Sequence, residues 1–217
     1  MKQIRFMFAM LLMATTLAFT ACSSDDDDDS DVRDQAVGNY SGTTSIYVEN
    51  EGKLVPFASE LAELGEALGI TFNESDFQVK GTATVSKTDG NKLIVKEDGS
   101  DGDQWVLNNI REASNGFIFD VESTTVNEVS FTNYSGYHLE GETKSYGGGF
   151  IAANKKLEFY IYTTMEEFMD AALKEANVSD EEIEGLAALL VAAGYTEEDA
   201  EEDAKQKVVV EFTLTKK

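Results

Sequence analysis

The chain has 217 residues and a single cysteine, with 41 acidic against 17 basic side chains and a formal net charge of −24. Such a surface repels nucleic acid and anionic lipid head groups, so a nucleic-acid partner is excluded. The single cysteine excludes an intramolecular disulfide, and one proline with 17 glycines is typical of an ordered domain with many tight turns.

Residues 1–21 have the three zones of a secretory signal peptide. Lys2 and Arg5 give a positive start, an apolar stretch fills 6–19, and two small residues end the segment at Ala21. The stretch is shorter than the roughly 20 apolar residues of a membrane span, and no basic flank follows it. We therefore predict a signal peptide that is removed after Ala21.

The segment 19–22, Phe-Thr-Ala-Cys, resembles the lipobox of bacterial lipoproteins. In that family the cysteine becomes the first mature residue and carries a diacylglyceryl group and an N-acyl chain. The resemblance implies that Cys22 is lipidated and anchors the protein to a membrane, since each buried CH2 group adds about 0.8 kcal/mol. Lipidation would also remove the only free thiol from an oxidising compartment.

An acidic tether follows over residues 22–34 and includes the run Asp25–Asp29. Its charge predicts a solvated, self-repelling linker. The run also resembles the export signal that sends lipoproteins to the cell surface in one large phylum of Gram-negative commensals. We predict an outer-membrane lipoprotein exposed on the cell surface or otherwise on the periplasmic face, with one folded domain over 35–217.

From residue 40 onward, apolar and polar residues alternate in short segments separated by turn residues, as in half-buried strands. Residues expected on the inward faces include Tyr40, Ile46, Val48, Phe77, Val79, Val85, Leu93, Val95, Phe117, Phe119, Val121, Leu157, Phe159, Ile161, Val208, Val210, Phe212 and Leu214. Weaker strands are indicated at 126–131 and 137–146. Eight or nine strands with short turns predict an antiparallel barrel or sandwich.

Two stretches with helical periodicity interrupt the strands, at about 56–69 and 164–205. A proline suits the first turn of the first helix, and two capping boxes begin helices in the second stretch. Each helix carries one apolar stripe, which predicts packing on the barrel end, with Phe168 and Leu190 as the main contacts. The residues that flank the second stretch are expected to lie close together on neighbouring strands.

Four segments resemble strands of lipocalin-like (calycin-like) domains in cell-surface lipoproteins of Gram-negative commensals. They are 36–43, 148–150, 154–159 and 208–216. The resemblance covers the strands of the chain. It implies an up-and-down antiparallel β-barrel of about eight strands, in which the two helical stretches are inserts that depart from the compact family pattern. It carries over no catalytic residue.

Three tyrosines beside a glycine run are the leading candidates for a ligand site. Tyr134, Tyr137 and Tyr146 precede the glycines at 147–149. Aromatic rings near glycines can form a platform for an apolar or carbohydrate-derived ligand. The alternative is a set of cross-strand tyrosine pairs beside a turn.

A weaker candidate is a calcium loop. Asp98, Ser100, Asp101 and Asp103 supply oxygen ligands within a glycine-containing loop, as calcium prefers. The loop lacks the spaced bidentate glutamate of an EF-hand, so an acidic hairpin turn explains it as well.

Catalytic chemistry has little support in the sequence. His138 is the only histidine and lies two residues before Glu140. Because there is no second histidine and no catalytic cysteine, we predict a strand-surface histidine. The chain has no nucleophile elbow and no phosphate loop, so we predict no cofactor and no enzyme activity.

Two functions fit these predictions. The first is a binding module whose barrel holds one small apolar, amphipathic or carbohydrate-derived ligand, with the helices as lids. The second is an accessory protein that docks another envelope protein through 164–205, and a hydrolase is a distant third. An apolar pocket above about 300 Å³ at the barrel mouth would favour the first, whereas a filled barrel with an exposed apolar helix face would favour the second.

Overall fold

The computed structural model describes residues 31–62, 65, 66, 71–98, 104–139, 144–175, 178, 179, 183–185, 187, 188, 191 and 196–217. The strands in this part of the chain are β1 (Gly38–Asn50), β2 (Lys53–Pro56), β3 (Gln78–Thr88), β4 (Lys92–Glu97), β5 (Gln104–Ala113), β6 (Gly116–Val121), β7 (Thr124–Val126), β8 (Val129–Asn133), β9 (Tyr137–His138), β10 (Ser145–Tyr146), β11 (Gly148–Ile151), β12 (Lys156–Thr164) and β13 (Lys207–Lys216). The helices are α1 (Phe57–Glu60), α2 (Met165–Glu175) and α3 (Glu197–Ala204), with 3-10 turns at Val32–Gln35 and Glu74–Phe77.

Eight of the strands form a closed antiparallel barrel in the order β1-β3-β4-β5-β6-β11-β12-β13. Closure comes from β13, which pairs with both β1 and β12, and from β11, which pairs with both β6 and β12. Apart from the closing pair β1 and β13, strands that are adjacent in the barrel are also consecutive barrel strands along the chain. The predicted up-and-down barrel of about eight strands is therefore confirmed.

The remaining strands lie outside this barrel. The β7–β8 hairpin joins β12 at Ile161 and Tyr162, β2 pairs with the end of β1, and β9 and β10 form a separate two-stranded sheet. The weak strand patterns at 126–131 and 137–146 therefore correspond to short strands that cover the barrel and do not belong to its wall.

Side chains fill the interior of the barrel. The Phe159 and Phe212 rings stack with centroids 4.4 Å apart and planes 6° from parallel, and Trp105 lies 5.4 Å from Phe212. The buried residues of this cluster are Ala36, Tyr40, Ala83, Val85, Leu93, Val95, Trp105, Leu107, Ile110, Phe117, Phe119, Val121, Phe150, Leu157, Phe159, Ile161, Val210, Phe212 and Leu214. Alternation along the strands produces this core, because every second side chain points inward.

One end of the barrel, the tether end, is closed by the 3-10 turn Val32–Gln35. Arg33 binds Asp31 and donates hydrogen bonds of 3.2 Å to the carbonyls of Thr88 and Lys92, which lie at the β3–β4 turn. Its guanidinium lowers the pKa of the Asp31 carboxyl to about 2. Residues 31–34, which the sequence assigned to the tether, therefore belong to the folded domain.

The opposite end, the insert end, carries α1 and α2. Phe57 lies 5.0 Å from Phe77 and 5.6 Å from Phe168, and these rings pack with Val48 and Val208. Phe168 is 7% exposed, so its predicted contact with the barrel end is confirmed. Its predicted companion, Leu190, lies outside the described residues.

The second insert leaves and returns on paired strands, as predicted. Thr163 lies opposite Val208, Thr164 lies opposite Lys207, and the Met165 amide donates to the Gln206 carbonyl at 2.8 Å. The excursion of 164–205 therefore leaves the β12–β13 ladder undistorted. The first insert is helical at Phe57–Glu60 and at residues 62, 65 and 66, while residues 63, 64 and 67–69 of the predicted stretch lie outside the described part.

Replacing Phe168 by alanine should lower the free energy of unfolding by about 2–5 kcal/mol, because a buried ring is removed from a packed cluster. Guanidinium denaturation of the whole chain measures this. Asp170→Ala on the exposed side of α2 is the control and should change the value by about 0.5 kcal/mol or less. An equally small change for Phe168→Ala would contradict the packing of α2 on the barrel.

Candidate functional site

The three predicted tyrosines lie together on the outer face of the barrel. They belong to a group that we call the outer tyrosine cluster, which consists of Tyr47, Tyr134, Tyr137, Tyr146, Tyr160 and Tyr162 with Ile118 and Val209. Tyr137 and Tyr146 are opposite one another in β9–β10 and are 5% and 9% exposed. The cross-strand pairing that the sequence left open is therefore present, and these two rings are covered.

Gly148 and Gly149 make room for rings on both faces of β11. A Cβ at Gly149 would lie 2.3 Å from the Tyr137 ring outside the barrel, and one at Gly148 would lie 2.5 Å from the Phe119 ring inside it. These glycines serve close packing, since any larger residue would displace a ring. The ligand platform predicted from these glycines and tyrosines does not account for this packing, because a close approach between two strands leaves no signal in the local sequence pattern.

Tyr160 anchors the cluster through two glutamates. Its hydroxyl lies 2.6 Å from a Glu158 carboxylate oxygen and 3.1 Å from one of Glu211. Lys156 binds Glu158, and the Thr213 hydroxyl donates to Glu211 at 3.3 Å. No local sequence pattern distinguishes these two carboxylates from the other acidic residues, and their partners give them a structural role.

Lysine and arginine cover the exposed sides of the tyrosines. Lys207 Nζ lies 5.3 Å from the Tyr162 ring centroid and 6.0 Å from that of Tyr134, and it forms a 2.8 Å salt bridge with Glu49. The Arg111 guanidinium lies 5.3 Å from the Tyr146 ring. These cation–π contacts occupy faces that a sugar ring would need for stacking.

We expect alkaline pH to destabilise the fold through its tyrosines. Burial raises the pKa of Tyr40 and Tyr160, and burial with nearby Glu211 raises the pKa of Tyr47 to about 12. The unfolded chain would lose these protons near pH 10, before the folded chain does. Their stabilisation is therefore complete below pH 10 and is lost as the pH rises towards 12 and above.

Denaturation at a series of pH values, together with tyrosinate absorbance, measures this effect. In Tyr160→Phe the stability should fall less steeply above pH 10. If all tyrosines of the folded protein ionised near their ordinary pKa, the expectation would be wrong.

The remaining polar candidates are only partly described. Asp98 accepts a 3.3 Å hydrogen bond from Thr84, while Ser100, Asp101 and Asp103 lie outside the described residues. The calcium loop therefore stays a prediction. Within the described ranges, no group of three or more His, Cys, Asp or Glu side chains could hold a metal ion.

His138 is exposed, and its Nδ1 lies 3.4 Å from the Ser145 hydroxyl across β9–β10. This position agrees with the strand-surface histidine that the sequence predicts. Glu140 and Cys22 lie outside the described part of the chain.

A surface cleft of about 360 Å³ lies at the tether end. Its lining residues are Val32, Gln35, Glu112, Ala113, Ser114, Asn115, Gly116, Ala152 and Ala153. The volume would suit a small ligand, but most of the lining residues are polar or have small side chains. It therefore differs from the apolar pocket that a ligand-holding barrel mouth requires.

An apolar stripe is exposed within the second insert. Ile183 is 37% exposed and Val191 is 69% exposed, and these are the exposed large hydrophobic residues in the described part of the chain. Ala187, between them, is also exposed. All three have helical conformation, and residues 186, 189 and 190 between them lie outside the described part of the chain.

The fold and these surfaces define a closed eight-stranded antiparallel barrel with a partly buried outer tyrosine cluster and an acidic helical insert. No family model, no curated protein and no solved structure matches the chain. Among the described residues, no helix combines the length and apolarity that a membrane span needs.

Proposed function

We propose that this protein is an outer-membrane lipoprotein, lipidated at Cys22 and exposed on the cell surface, that acts without catalysis by docking another envelope protein through its helical insert. In this proposal the lipocalin-like barrel is a scaffold. The signal peptide pattern, the lipobox and the acidic tether support the location.

The filled barrel is the observation that carries the docking function. Phe119 and Phe159 are fully buried in the interior, and Phe212 is 4% exposed. Eight strands enclose space for side chains or for one small ligand, and here the aromatic rings occupy that space. The exposed stripe Ile183–Ala187–Val191 offers an apolar surface that the barrel does not.

Native mass spectrometry of the protein extracted from the membranes of its own host tests this function. We expect the mass of the lipidated chain, without a retained small molecule, and a protein complex that depends on the insert. The matched variant joins Thr164 to Lys207 through a short Gly-Ser link, since these residues are already paired. A small molecule retained in equal amounts by both forms would favour the ligand-binding alternative.

Replacing Asp25–Asp29 by alanine should reduce surface exposure. If the acidic run directs export, protease added to intact cells should digest less of the variant than of the parent. The melting temperature should change little, because a run of five aspartates is expected to stay solvated and to bury nothing. A control variant with glutamates at these positions keeps the charge and should remain accessible. Unchanged digestion of the alanine variant would refute the export role.

A further inference from the structure

We propose that the cleft at the tether end binds a sugar or another polyol that carries a phosphate group, and that Lys155 and Lys216 hold the phosphate. The cleft lies outside the filled interior of the barrel, at the end opposite the insert. This site is therefore independent of the docking function proposed above.

The walls of the cleft are held together through their backbones. The β5–β6 turn and the β11–β12 turn meet where the Ala152 amide donates to the Asn115 carbonyl at 2.8 Å. A Cβ at Gly116 would overlap the Phe150 carbonyl oxygen, so the two turns approach as closely as their backbones allow. Together with the 3-10 turn Val32–Gln35 they enclose about 360 Å³, which lies in the size range of small-molecule sites.

The lining of the cleft suits a ligand with many hydroxyl groups. Its exposed polar side chains are the amides of Gln35 and Asn115, the hydroxyl of Ser114 and the carboxylate of Glu112. A hydroxyl group both donates and accepts, so a polyol can pair with all of these groups, whereas an apolar ligand would leave them without partners. The other lining residues are small or apolar and can lie against the C–H groups of a ring.

Two lysines beside the cleft supply positive charge that no described carboxylate neutralises. Other cations at this end are bound to acids, as Arg33 is to Asp31 and Lys87 is to Asp34. None of the salt bridges among the described residues involves Lys155 or Lys216. Both ammonium groups are therefore available to an anion.

Hydrogen bonds connect both lysines to the wall of the cleft. Lys216 Nζ donates to the carbonyl of Gln35 at 3.0 Å, which uses one of its three N–H groups. The Lys155 amide donates to the carbonyl of Ala152 at 3.3 Å, and the Lys155 carbonyl accepts from the Lys216 amide at 3.0 Å. Gln35 and Ala152 both line the cleft. A phosphate is the anion that fits here, because ammonium groups bind it as compact positive charges.

The acidic side chain in the lining limits where the phosphate can lie. Glu112 belongs to the wall that β5 forms, whereas the lysines adjoin the walls formed by the β11–β12 turn and the 3-10 turn. Its carboxylate accepts hydrogen bonds from hydroxyl groups and repels a phosphate. The ligand is therefore expected to bind with its phosphate at the lysines and its hydroxyl groups towards Glu112.

Calorimetric titration with inositol 1-phosphate tests the site on the chain from residue 22 onward with Cys22→Ser. Inositol and inorganic phosphate are the comparison ligands, because each supplies half of the probe. A second measurement follows sedimentation of the same chain with phosphatidylcholine vesicles that contain or lack phosphatidylinositol. This lipid carries the same head group, so the two measurements distinguish a soluble ligand from a membrane lipid.

Two variants separate the charge from the cleft. Lys155→Gln/Lys216→Gln removes both ammonium groups, and Lys96→Gln, an exposed lysine on β4, is the charge control. Ala153→Trp places a large ring in the wall of the cleft and keeps both lysines. Ala153 is exposed in a turn, so this ring displaces no part of the core. Equal melting temperatures and circular dichroism spectra confirm that the variants fold alike.

We expect inositol 1-phosphate to bind the parent and Lys96→Gln alike, and to bind the double lysine variant and Ala153→Trp about tenfold or more weakly. Inositol and inorganic phosphate should each bind the parent more weakly than the probe. Sedimentation only with the phosphatidylinositol vesicles would assign the site to a lipid head group, and no sedimentation would assign it to a soluble ligand. No binding of the probe by the parent, or binding that ignores either variant, would overturn the site.

Discussion

Replacing Phe159 by alanine is expected to lower the free energy of unfolding by about 3–5 kcal/mol. The side chain has no exposed surface, and its ring stacks on Phe212 at 4.4 Å. Removing the ring loses the free energy gained by transferring it from water to the interior. It also loses the contacts of the ring with its neighbours, because those neighbours relax only partly into the space. Guanidinium denaturation of the parent and the variant gives the difference.

Phe131→Ala is the control, because it deletes the same atoms from a half-buried ring that lies 5.7 Å from Trp105. Phe131→Ala should lower the free energy of unfolding clearly less than Phe159→Ala does. A loss below about 1 kcal/mol for Phe159→Ala would indicate a loosely packed interior, and the barrel would then regain a place for a small ligand.

Replacing Cys22 by serine is expected to abolish lipidation. The product should then be either an uncleaved precursor or a freely soluble protein. Serine cannot form the thioether that would hold the diacylglyceryl group, so a protein anchored by lipid at this position would lose its acyl chains. Cell fractionation and labelling with palmitate measure the outcome. Ser24→Ala, two residues further on, should partition and label like the parent. A Cys22→Ser protein that still labels and sediments with membranes would show that the anchor lies elsewhere.

Much of the barrel could be predicted because its signal is local. A strand with one face in the core alternates residue by residue, and Phe117, Phe119, Leu157 and Phe159 show this period in sequence and in structure. The packing of Phe168 was also predictable, since a helical stripe next to paired strands has a nearby apolar surface.

The outer tyrosine cluster was harder to predict because a segment distant in sequence covers it. Tyr160 and Val209 point outward on their strands, yet they are 9% and 0% exposed. Alternation identifies an outward side chain, but it gives no information about what packs over it. The role of Gly148 likewise depends on a ring from another strand, Phe119, that approaches too closely for any side chain.

The barrel's two ends face different surroundings if Cys22 is held in a bilayer. β1 starts at Gly38 beside the tether end and reaches Val48 beside α1 and α2, so the insert lies at the far end from the anchor. An extended tether of nine residues spans at most about 30 Å. The nine residues of β12 add at most roughly another 30 Å. The start of the insert at Thr164 can therefore reach several nanometres above the lipid head groups, and such an anchor would raise the effective concentration of the insert towards neighbours in the same membrane.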